Sequence, residues 1–194
     1  MALAYTKLKV ELREISLRDR PEELYKASAK GTVPVLITTS KKIIDESLDI
    51  MLWALKNNFE QTWLPKEHAK ELKMININDT EFKRWLDRYK YHDRYPDEPR
   101  EFYREKCSEI LDSYENQLKT TQYLMGNKIN IADIGIFPFI RQFANVDYAW
   151  FENNYKNLEC WLNGICNSNL FKSIMKKNDL WDPKNVLILD FHNN

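Results

Sequence analysis

A proline stands between two valines at residues 33–35, directly ahead of a run of strand-forming residues. Proline cannot donate to a β-ladder, but a strand can begin with one. If the Val33–Pro34 bond is cis, the chain turns sharply and exposes the amide and carbonyl of Val33 at the rim of a sheet. Exposed backbone groups of this kind can pair with an extended peptide, as an added strand does. The alternative is an ordinary trans proline that opens a strand.

Further along the chain, Glu46 and Ser47 stand at the start of an apolar helical pattern. The free N–H groups and the dipole of a helix N-terminus favour a carboxylate. The Ser47 hydroxyl can add a hydrogen bond to that anion, and Glu46 can accept one from an ammonium group. The alternative is that Asp45 or Ser47 only caps the helix. A backbone-pairing turn beside a site for an anion and an ammonium group suits a small zwitterionic peptide.

The elements that must position these residues follow from the hydrophobic pattern. Alternation over residues 8–13 predicts a strand, and residues 17–31 predict a helix with Pro21 in its first position and Gly31 just past its end. The segments VPVLIT and KKIIDE predict a hairpin, and residues 46–57 a helix. The order is therefore strand, helix, strand, strand, helix.

The pattern changes after Trp63, because apolar residues then recur three and four positions apart. We therefore predict an α/β domain over residues 1–60 and an all-α helical bundle over residues 66–194. The less regular residues 57–68 join them.

Composition excludes several classes of partner. The chain has 194 residues, with 29 Lys plus Arg against 29 Asp plus Glu, so no net field attracts nucleic acid or an anionic membrane. Its three cysteines form no CxxC pair and its three histidines are scattered, which predicts neither a disulfide framework nor a metal site. No apolar run has the length of a membrane span or the pattern of a signal peptide. We therefore expect a cytoplasmic protein.

The segments KGTVPVL (residues 30–36) and IIDESLDIMLWAL (residues 43–55) together resemble the glutathione-binding half of cytosolic glutathione S-transferases of bacterial type. The first domain of that family is thioredoxin-like. The resemblance implies that Val33 and a cis Pro34 pair with the cysteinyl part of glutathione. It implies that Ser47 and Glu46 hold the γ-glutamyl end and that Lys30 reaches the glycyl carboxylate. Glutathione is then a co-substrate, and no metal is needed.

The second half agrees with this resemblance. The segment GNKINIADIGIFPFIRQF looks like the central helix of the family, with Asn130 as cap and Asp133 reaching back to it. Gly135 would permit close helix packing, and Pro138 would kink the helix. These residues are assigned a folding role only.

Compared with the family pattern, a first strand and most of a first helix, with the side chain that activates the glutathione sulfur, are not found before residue 8. The thioredoxin-like domain is then a truncated β-α-β-β-α unit with no catalytic residue to assign. Met1 is either an internal methionine of a longer protein or the start of a shortened relative. We expect a three-stranded sheet with a rearranged edge, or a partner chain that fills the gap.

Three further features of the sequence need an interpretation. Aromatic and basic residues interleave over residues 85–95, as in a single-strand nucleic-acid binder, but acidic residues dilute the charge and packing between helices explains them better. By resemblance, Trp85 and Tyr89 are the residues that would line a cleft for the electrophile. Cys107 lies within a helical pattern and is interpreted as a buried structural residue. The C-terminal residues 181–194 fold either over the cleft or onto the α/β domain.

The resemblance implies transfer of the glutathione thiol to a small electrophile, or reduction of a mixed disulfide, with activity impaired by the missing segment. A non-catalytic interaction module on the same scaffold is the alternative, and a glutathione carrier without turnover is a third. Members of this family usually form dimers through contacts of both domains, and the resemblance therefore implies a homodimer.

Overall fold

In a computed structural model that describes residues 1–56, 63–65 and 67–191, the chain forms two compact units. Residues 1–61 and 169–194 make the first unit, and residues 62–168 make the second. The predicted helical domain covers all of 66–194, whereas residues 169–194 belong to the first unit. Residues 57–62 and Lys66 of the expected linker lie outside the described residues.

The first unit mixes short helices and strands. Its elements in chain order are α1 (Ala2–Tyr5), β1 (Val10–Leu12), α2 (Glu22–Ala27), β2 (Leu36–Ile37), β3 (Ile43–Ile44), α3 (Ser47–Lys56), α10 (Asn169–Ile174) and β4 (Leu187–Leu189). The predicted order of strand, helix, strand, strand, helix is confirmed. Helix α1 buries Ala2 and Ala4 and packs against α3 and α10.

Helix α2 is shorter than the sequence predicted. It spans six residues, with Pro21 as its N-cap at φ −69° rather than in its first helical turn. The backbone leaves helical geometry at Ser28, whose φ and ψ are −144° and 120°. Because α2 buries none of its side chains, no apolar contact extends it toward Gly31.

The strands pair in two separate two-stranded antiparallel sheets. Strands β2 and β3 form the predicted hairpin, with Leu36 opposite Ile44. Strand β1 pairs with the C-terminal β4, with Val10 opposite Leu189 and Leu12 opposite Leu187. The expected three-stranded sheet is therefore wrong for the described residues, because β1 finds its partner in the C-terminal segment.

The C-terminal segment is held to β1 beyond the strand pairing. The backbone N–H of Trp181 donates to the Glu14 carbonyl at 2.7 Å. The Arg13 guanidinium lies 4.8 Å from the centre of the Trp181 ring. At the other end, Lys9 Nζ lies 3.4 Å from Asp190 Oδ2. The segment thus folds onto the α/β unit, which was one of the two placements that the sequence left open.

The regular elements of the second unit are helices, apart from one isolated antiparallel bridge between Tyr123 and Gly126 in the loop after the longest helix. Its α-helices are α4 (Ala69–Ile77), α5 (Lys83–Lys90), α6 (Arg100–Leu118), α7 (Ile131–Ala144), α8 (Tyr148–Asn154) and α9 (Lys156–Cys166). A π-helical turn at Asn78–Phe82 joins α4 to α5, and a 3₁₀ turn covers His92–Arg94. Helix α5 packs against α6 and α7, and α6 packs against α9. The all-helical prediction is confirmed.

Helix α7 is the buried centre of this unit. Its predicted capping box is present, because Asn130 Oδ1 accepts from the Ala132 N–H and Asp133 Oδ2 accepts from the Asn130 N–H. Asp133 is fully buried, and its Oδ1 also accepts from the Leu124 N–H and the Trp161 Nε1–H, each at 2.9 Å. Burial raises the pKa of Asp133, and these donors oppose that shift.

The close packing expected at Gly135 is confirmed. A Cβ added there would lie 3.1 Å from Cδ1 of Ile75, so α4 approaches the α7 backbone directly. Pro138 lies inside α7. Among the described residues, no helix is both long and apolar enough to span a bilayer.

Candidate functional site

The turn before β2 has the predicted geometry, because the Val33–Pro34 peptide bond is cis. The Val33 side chain is 47% exposed. Within the part of the chain that the structure describes, the amide and carbonyl of Val33 make no hydrogen bond. An exposed residue with both backbone groups unused can accept an extended peptide as a pairing partner.

The N-terminus of α3 is open. The first bond of the helix runs from the Ile50 N–H to the Glu46 carbonyl at 3.0 Å. The N–H groups of Ser47, Leu48 and Asp49 have no acceptor among the residues that the structure covers. No described side chain accepts from these groups either, so neither Asp45 nor Ser47 acts as a cap. Ser47 is exposed, and its hydroxyl is directed to no described partner.

Two carboxylates and a lysine lie beside this N-terminus. Lys30 Nζ lies 2.7 Å from Glu46 Oε1 and 3.5 Å from Asp45 Oδ2. The hydrogen bond to Glu46, together with the charge of Asp45, raises the pKa of Lys30. Lys30 is therefore held at the α3 N-terminus, where the resemblance placed the γ-glutamyl group rather than the glycyl carboxylate.

Ser28 completes this cluster. Its hydroxyl donates to Asp45 Oδ2 at 2.9 Å, and this hydrogen bond, with the charge of Lys30, lowers the pKa of the Asp45 carboxyl. Asp45 is thus turned toward Ser28 and Lys30 instead of capping α3. Sequence reasoning missed this role of Ser28, because a contact across 17 residues of chain leaves no periodic signal.

The loop between α2 and the cis bond depends on Gly31. Its φ is +61°, in the region that side chains disfavour, and a Cβ there would lie 2.4 Å from Cε1 of Tyr25. Gly31 follows Lys30 directly, and its N–H donates to the Ser28 carbonyl at 3.0 Å. A glycine is therefore required for the turn that carries Lys30 to the two carboxylates.

The two aromatic residues nominated for a cleft belong to the helical unit. Tyr89 is 2% exposed, and its ring centre lies 5.0 Å from that of Phe143. Trp85 is half-buried and packs edge-on against Phe102 at 6.5 Å, with Arg88 over its ring at 5.4 Å. Both rings have packing partners within the unit, and a role toward an electrophile stays a prediction.

Two of the three cysteines, Cys107 and Cys166, offer no activated thiol. Cys107 is fully buried in α6, and burial raises the pKa of its thiol. Burial also raises the pKa of Cys166. A thiol with a raised pKa is protonated at neutral pH and is a poor nucleophile. No group of three or more metal-ligating side chains occurs among residues 1–56, 63–65 and 67–191.

Two family models match the chain, one in its N-terminal part and one in its C-terminal part. The family model "Glutathione S-transferase, C-terminal domain" matches residues 59–169, and "Glutathione S-transferase, N-terminal domain" matches residues 1–63. Among curated proteins, glutathione S-transferase F13 of Arabidopsis thaliana is 30% identical over 70 residues, which are 36% of this chain and 32% of that protein. Glutathione S-transferase F11 of the same plant is 32% identical over 72 residues, or 37% and 34% of the two chains. The match thus spans about a third of each relative.

Solved structures share the fold. The glutathione transferase URE2P6 from Phanerochaete chrysosporium, in complex with oxidized glutathione, superimposes with a TM-score of 0.77 at 16% identity, over 89% of this chain and 86% of that one. BphK, a bacterial glutathione S-transferase solved as a ternary complex, gives a TM-score of 0.75 at 18% identity, over 89% and 88%. At these identities the likeness concerns the fold alone.

Proposed function

The chain belongs to the glutathione S-transferase family, and we propose that its α/β unit binds glutathione for thiol transfer to a small electrophile. The observation that carries this proposal is the open α3 N-terminus beside Glu46, in the same unit as the unpaired backbone of Val33. Together they offer a carboxylate site, an ammonium acceptor and a strand-like edge, which are the groups that a γ-glutamyl tripeptide needs.

The γ-glutamyl end is assigned to α3. Its α-carboxylate would accept from the free N–H groups at Ser47 and Leu48 and from the Ser47 hydroxyl, with the helix dipole adding to the attraction. Its ammonium group would donate to Glu46. Glu46 already binds Lys30 Nζ at 2.7 Å, so the ligand ammonium competes with Lys30 for one carboxylate.

The cysteinyl residue is assigned to the turn at Val33 and Pro34. Its amide and carbonyl would exchange hydrogen bonds with the carbonyl and amide of Val33, as two antiparallel strands do. The URE2P6 structure, which shares this fold, was solved in complex with oxidized glutathione, and this supports glutathione as the ligand.

In this proposal, Lys30 positions the side chains of Asp45 and Glu46 and does not bind the ligand. Its ammonium group is engaged by Glu46 and Asp45, and it orients both acidic side chains at the mouth of the site. Binding of the glycyl carboxylate by Lys30 would require it to leave both partners. We therefore assign the glycyl end to no residue.

A non-catalytic glutathione-binding or protein-interaction module is the second candidate. The residues assigned here, Lys30, Val33, Pro34, Glu46 and Ser47, hold a peptide, and none of these five side chains activates a thiol. A free thiol has a pKa of about 8.5 and is mostly protonated at neutral pH, so binding alone does not give transfer. We also propose that the chain is a homodimer, which light scattering after size exclusion tests directly.

Two measurements on the same preparation test the proposed function. The first is calorimetric titration with glutathione and with cysteinylglycine, which lacks the γ-glutamyl residue. The second is turnover of an aryl halide in the presence of glutathione. We expect saturable glutathione binding, at least roughly 10-fold weaker binding of cysteinylglycine, and glutathione-dependent turnover that is slow, because none of the assigned side chains activates the thiol. Binding without turnover establishes the non-catalytic candidate, and the absence of binding refutes the site.

A further inference from the structure

Two arginines of the helical unit lie one turn apart at the start of α6 and share no acidic partner. Arg100 is the first residue of α6, and Arg104 follows four positions later on the same face. Among the residues that the structure describes, no ion pair involves either guanidinium group. Both side chains are half-buried, and the Nε of each is buried with no hydrogen-bond partner in the described chain. The pair is therefore held in the fold without a neutralising carboxylate.

Aromatic rings from two other helices hold the guanidinium groups in place. The central carbon of the Arg104 guanidinium lies 4.3 Å from the centre of the Trp150 ring on α8. That of Arg100 lies 5.3 Å from the centre of the Tyr89 ring on α5. Both rings pack against Phe143, with centres 6.2 Å and 5.0 Å from its own. Stacking on an aromatic face fixes a guanidinium group and leaves its planar fork of N–H donors available.

Both positive charges act on one buried hydroxyl group, so the two guanidinium groups lie close together. Tyr89 is 2% exposed, and burial raises its pKa. The charges of Arg100 and Arg104 oppose that rise, as does a hydrogen bond from Arg104. Asp147 acts on Tyr89 in the other direction. Its Oδ1 accepts from the Trp150 N–H at 3.0 Å, and it forms no ion pair within the described residues.

This arrangement of charges is unfavourable when nothing is bound. Like charges four positions apart on a helix repel each other. A cation in the first turn also lies at the positive end of the helix dipole, and α6 begins after Pro99 with no side-chain cap. An anion with several acceptor oxygens relieves both effects, because each guanidinium group can donate two parallel hydrogen bonds to it.

We propose that Arg100 and Arg104 form a binding site for a phosphate group, carried by a phosphomonoester or present as the free ion. The terminal N–H groups of the two guanidinium forks donate to the phosphate oxygens, while each Nε stays buried against the aromatic rings. The doubly charged phosphate neutralises both arginines. The site lies wholly within the helical unit and uses none of the residues assigned to glutathione, so it stands without the proposed glutathione site.

The test is calorimetric titration of the full chain with inorganic phosphate, phenyl phosphate and dimethyl phosphate, at one ionic strength held with sodium chloride. At about pH 8 the first two carry two negative charges and dimethyl phosphate carries one. We expect saturable binding of inorganic phosphate and at least roughly 10-fold weaker binding of dimethyl phosphate. Phenyl phosphate that binds more tightly than inorganic phosphate identifies an ester as the ligand, and weaker binding identifies the free ion.

Two matched double variants locate the site. Arg100→Gln/Arg104→Gln should weaken phosphate binding at least roughly 10-fold and abolish the rise in melting temperature that phosphate gives the wild type. Arg84→Gln/Arg88→Gln is the control, because it removes the same charge at the same spacing on α5. Both control arginines lie over the Trp85 ring, at 4.9 Å and 5.4 Å from its centre. The control should bind phosphate as the wild type does.

Single variants and a change in the other unit complete the test. Arg100→Gln and Arg104→Gln, each of which keeps one arginine, should each bind phosphate more weakly than the wild type. Ser47→Ala should leave phosphate binding unchanged. The proposal is overturned if the folded wild-type chain shows no saturable phosphate binding, or if the variants of Arg100 and Arg104 bind as the wild type does while circular dichroism shows them folded. It is equally overturned if both double variants lose affinity to the same extent, because general attraction to a positive surface then explains the binding.

Discussion

The Ser28 hydroxyl donates a hydrogen bond of 2.9 Å to Oδ2 of Asp45. This contact joins the end of α2 to the residues that precede α3, and Lys30 reaches the same carboxylate from the loop between them. Asp45 is thereby withdrawn from the N-terminus of α3, whose N–H groups stay open. The proposed anion site at the α3 N-terminus therefore depends on Ser28, which is not one of the residues assigned to bind the ligand.

The Ser28→Ala variant should lose stability in a pH-dependent way. The hydrogen bond from Ser28 lowers the pKa of folded Asp45 below its ordinary value of 3.8. A lowered folded-state pKa stabilises the protein above the unfolded pKa, and the gain disappears as the pH falls through the folded value. The urea midpoint of the variant should lie below that of the wild type at pH 7. The difference should shrink below about pH 4.

The control for Ser28 is the same substitution in an Asp45→Asn background, where residue 45 carries no carboxylate to titrate. There the change in urea midpoint caused by Ser28→Ala should be independent of pH over the same range. A change in the wild-type background that is as large at about pH 2.5 as at pH 7 would exclude the Asp45 contact as its cause.

Lys30→Gln should leave glutathione affinity within about 3-fold of the wild type, or tighten it, because Glu46 loses its internal competitor. Glu46→Gln should weaken binding by roughly 10-fold, since the ligand ammonium loses a charged acceptor. Calorimetric titration measures both. Lys26→Gln is the matched control, because Lys26 pairs with Glu22 at 3.1 Å on the exposed face of α2. A 10-fold loss in Lys30→Gln would show that Lys30 binds the ligand directly.

Much of this site could be predicted from the chain itself. The position of Pro34 at the start of a strand, and of Glu46 and Ser47 at the start of a helix, are local signals, and both elements form where they were expected. The role of Asp45 could not be read in this way. Asp45 and Ser47 are both residue types that commonly cap a helix. Only the folded structure shows that the Asp45 carboxylate is bound by Ser28 and Lys30 instead.

Asp133→Asn should destabilise the helical unit by about 2 kcal/mol or more, because its two carboxylate oxygens accept from three buried donors. An amide supplies one oxygen in place of two, so at least one N–H loses its acceptor. Urea denaturation at pH 7 measures the loss. Trp161→Phe, which removes one of the donors, should cost less.

Asp147→Asn is the matched control for Asp133. Asp147 Oδ1 accepts from the Trp150 N–H at 3.0 Å at the exposed N-terminus of α8, and asparagine caps a helix about as well as aspartate does. Its free energy of unfolding should stay close to that of the wild type. Equal losses at the two positions would mean that burial of the Asp133 network adds nothing.

Removal of the residues after Asn178 should expose the edge of β1. The chain then loses the pairing with β4 and the Trp181 contacts to Arg13 and Glu14. We expect the melting temperature to fall by roughly 5–10 °C, with association that increases with concentration, because unpaired strand edges pair with other chains. Removal of residues 192–194 alone is the control and should leave both properties unchanged. Identical behaviour of the two truncations would contradict a stabilising role for β4.

The β1–β4 pairing shows where sequence reasoning stops. Residues 186–189 are all apolar, so they lack the alternation that identifies a half-buried strand, and Val186, Leu187 and Ile188 remain substantially exposed. Their partner lies at the opposite end of the chain. Pairing between strands so far apart in the sequence is determined by the geometry of the folded unit, and local sequence patterns do not predict it.

The central claim is that the backbone at Val33 and the α3 N-terminus hold glutathione, and backbone amide NMR of the labelled chain tests it most directly. During a glutathione titration, the amide signals of Val33, Ser47 and Leu48 should move together and saturate with one dissociation constant. Ser47→Ala should raise that constant by roughly 10-fold, and Ser40→Ala, a hydroxyl deletion in the β2–β3 turn, should not. Saturating shifts confined to the helical unit, or no saturating shift at all, would contradict the account.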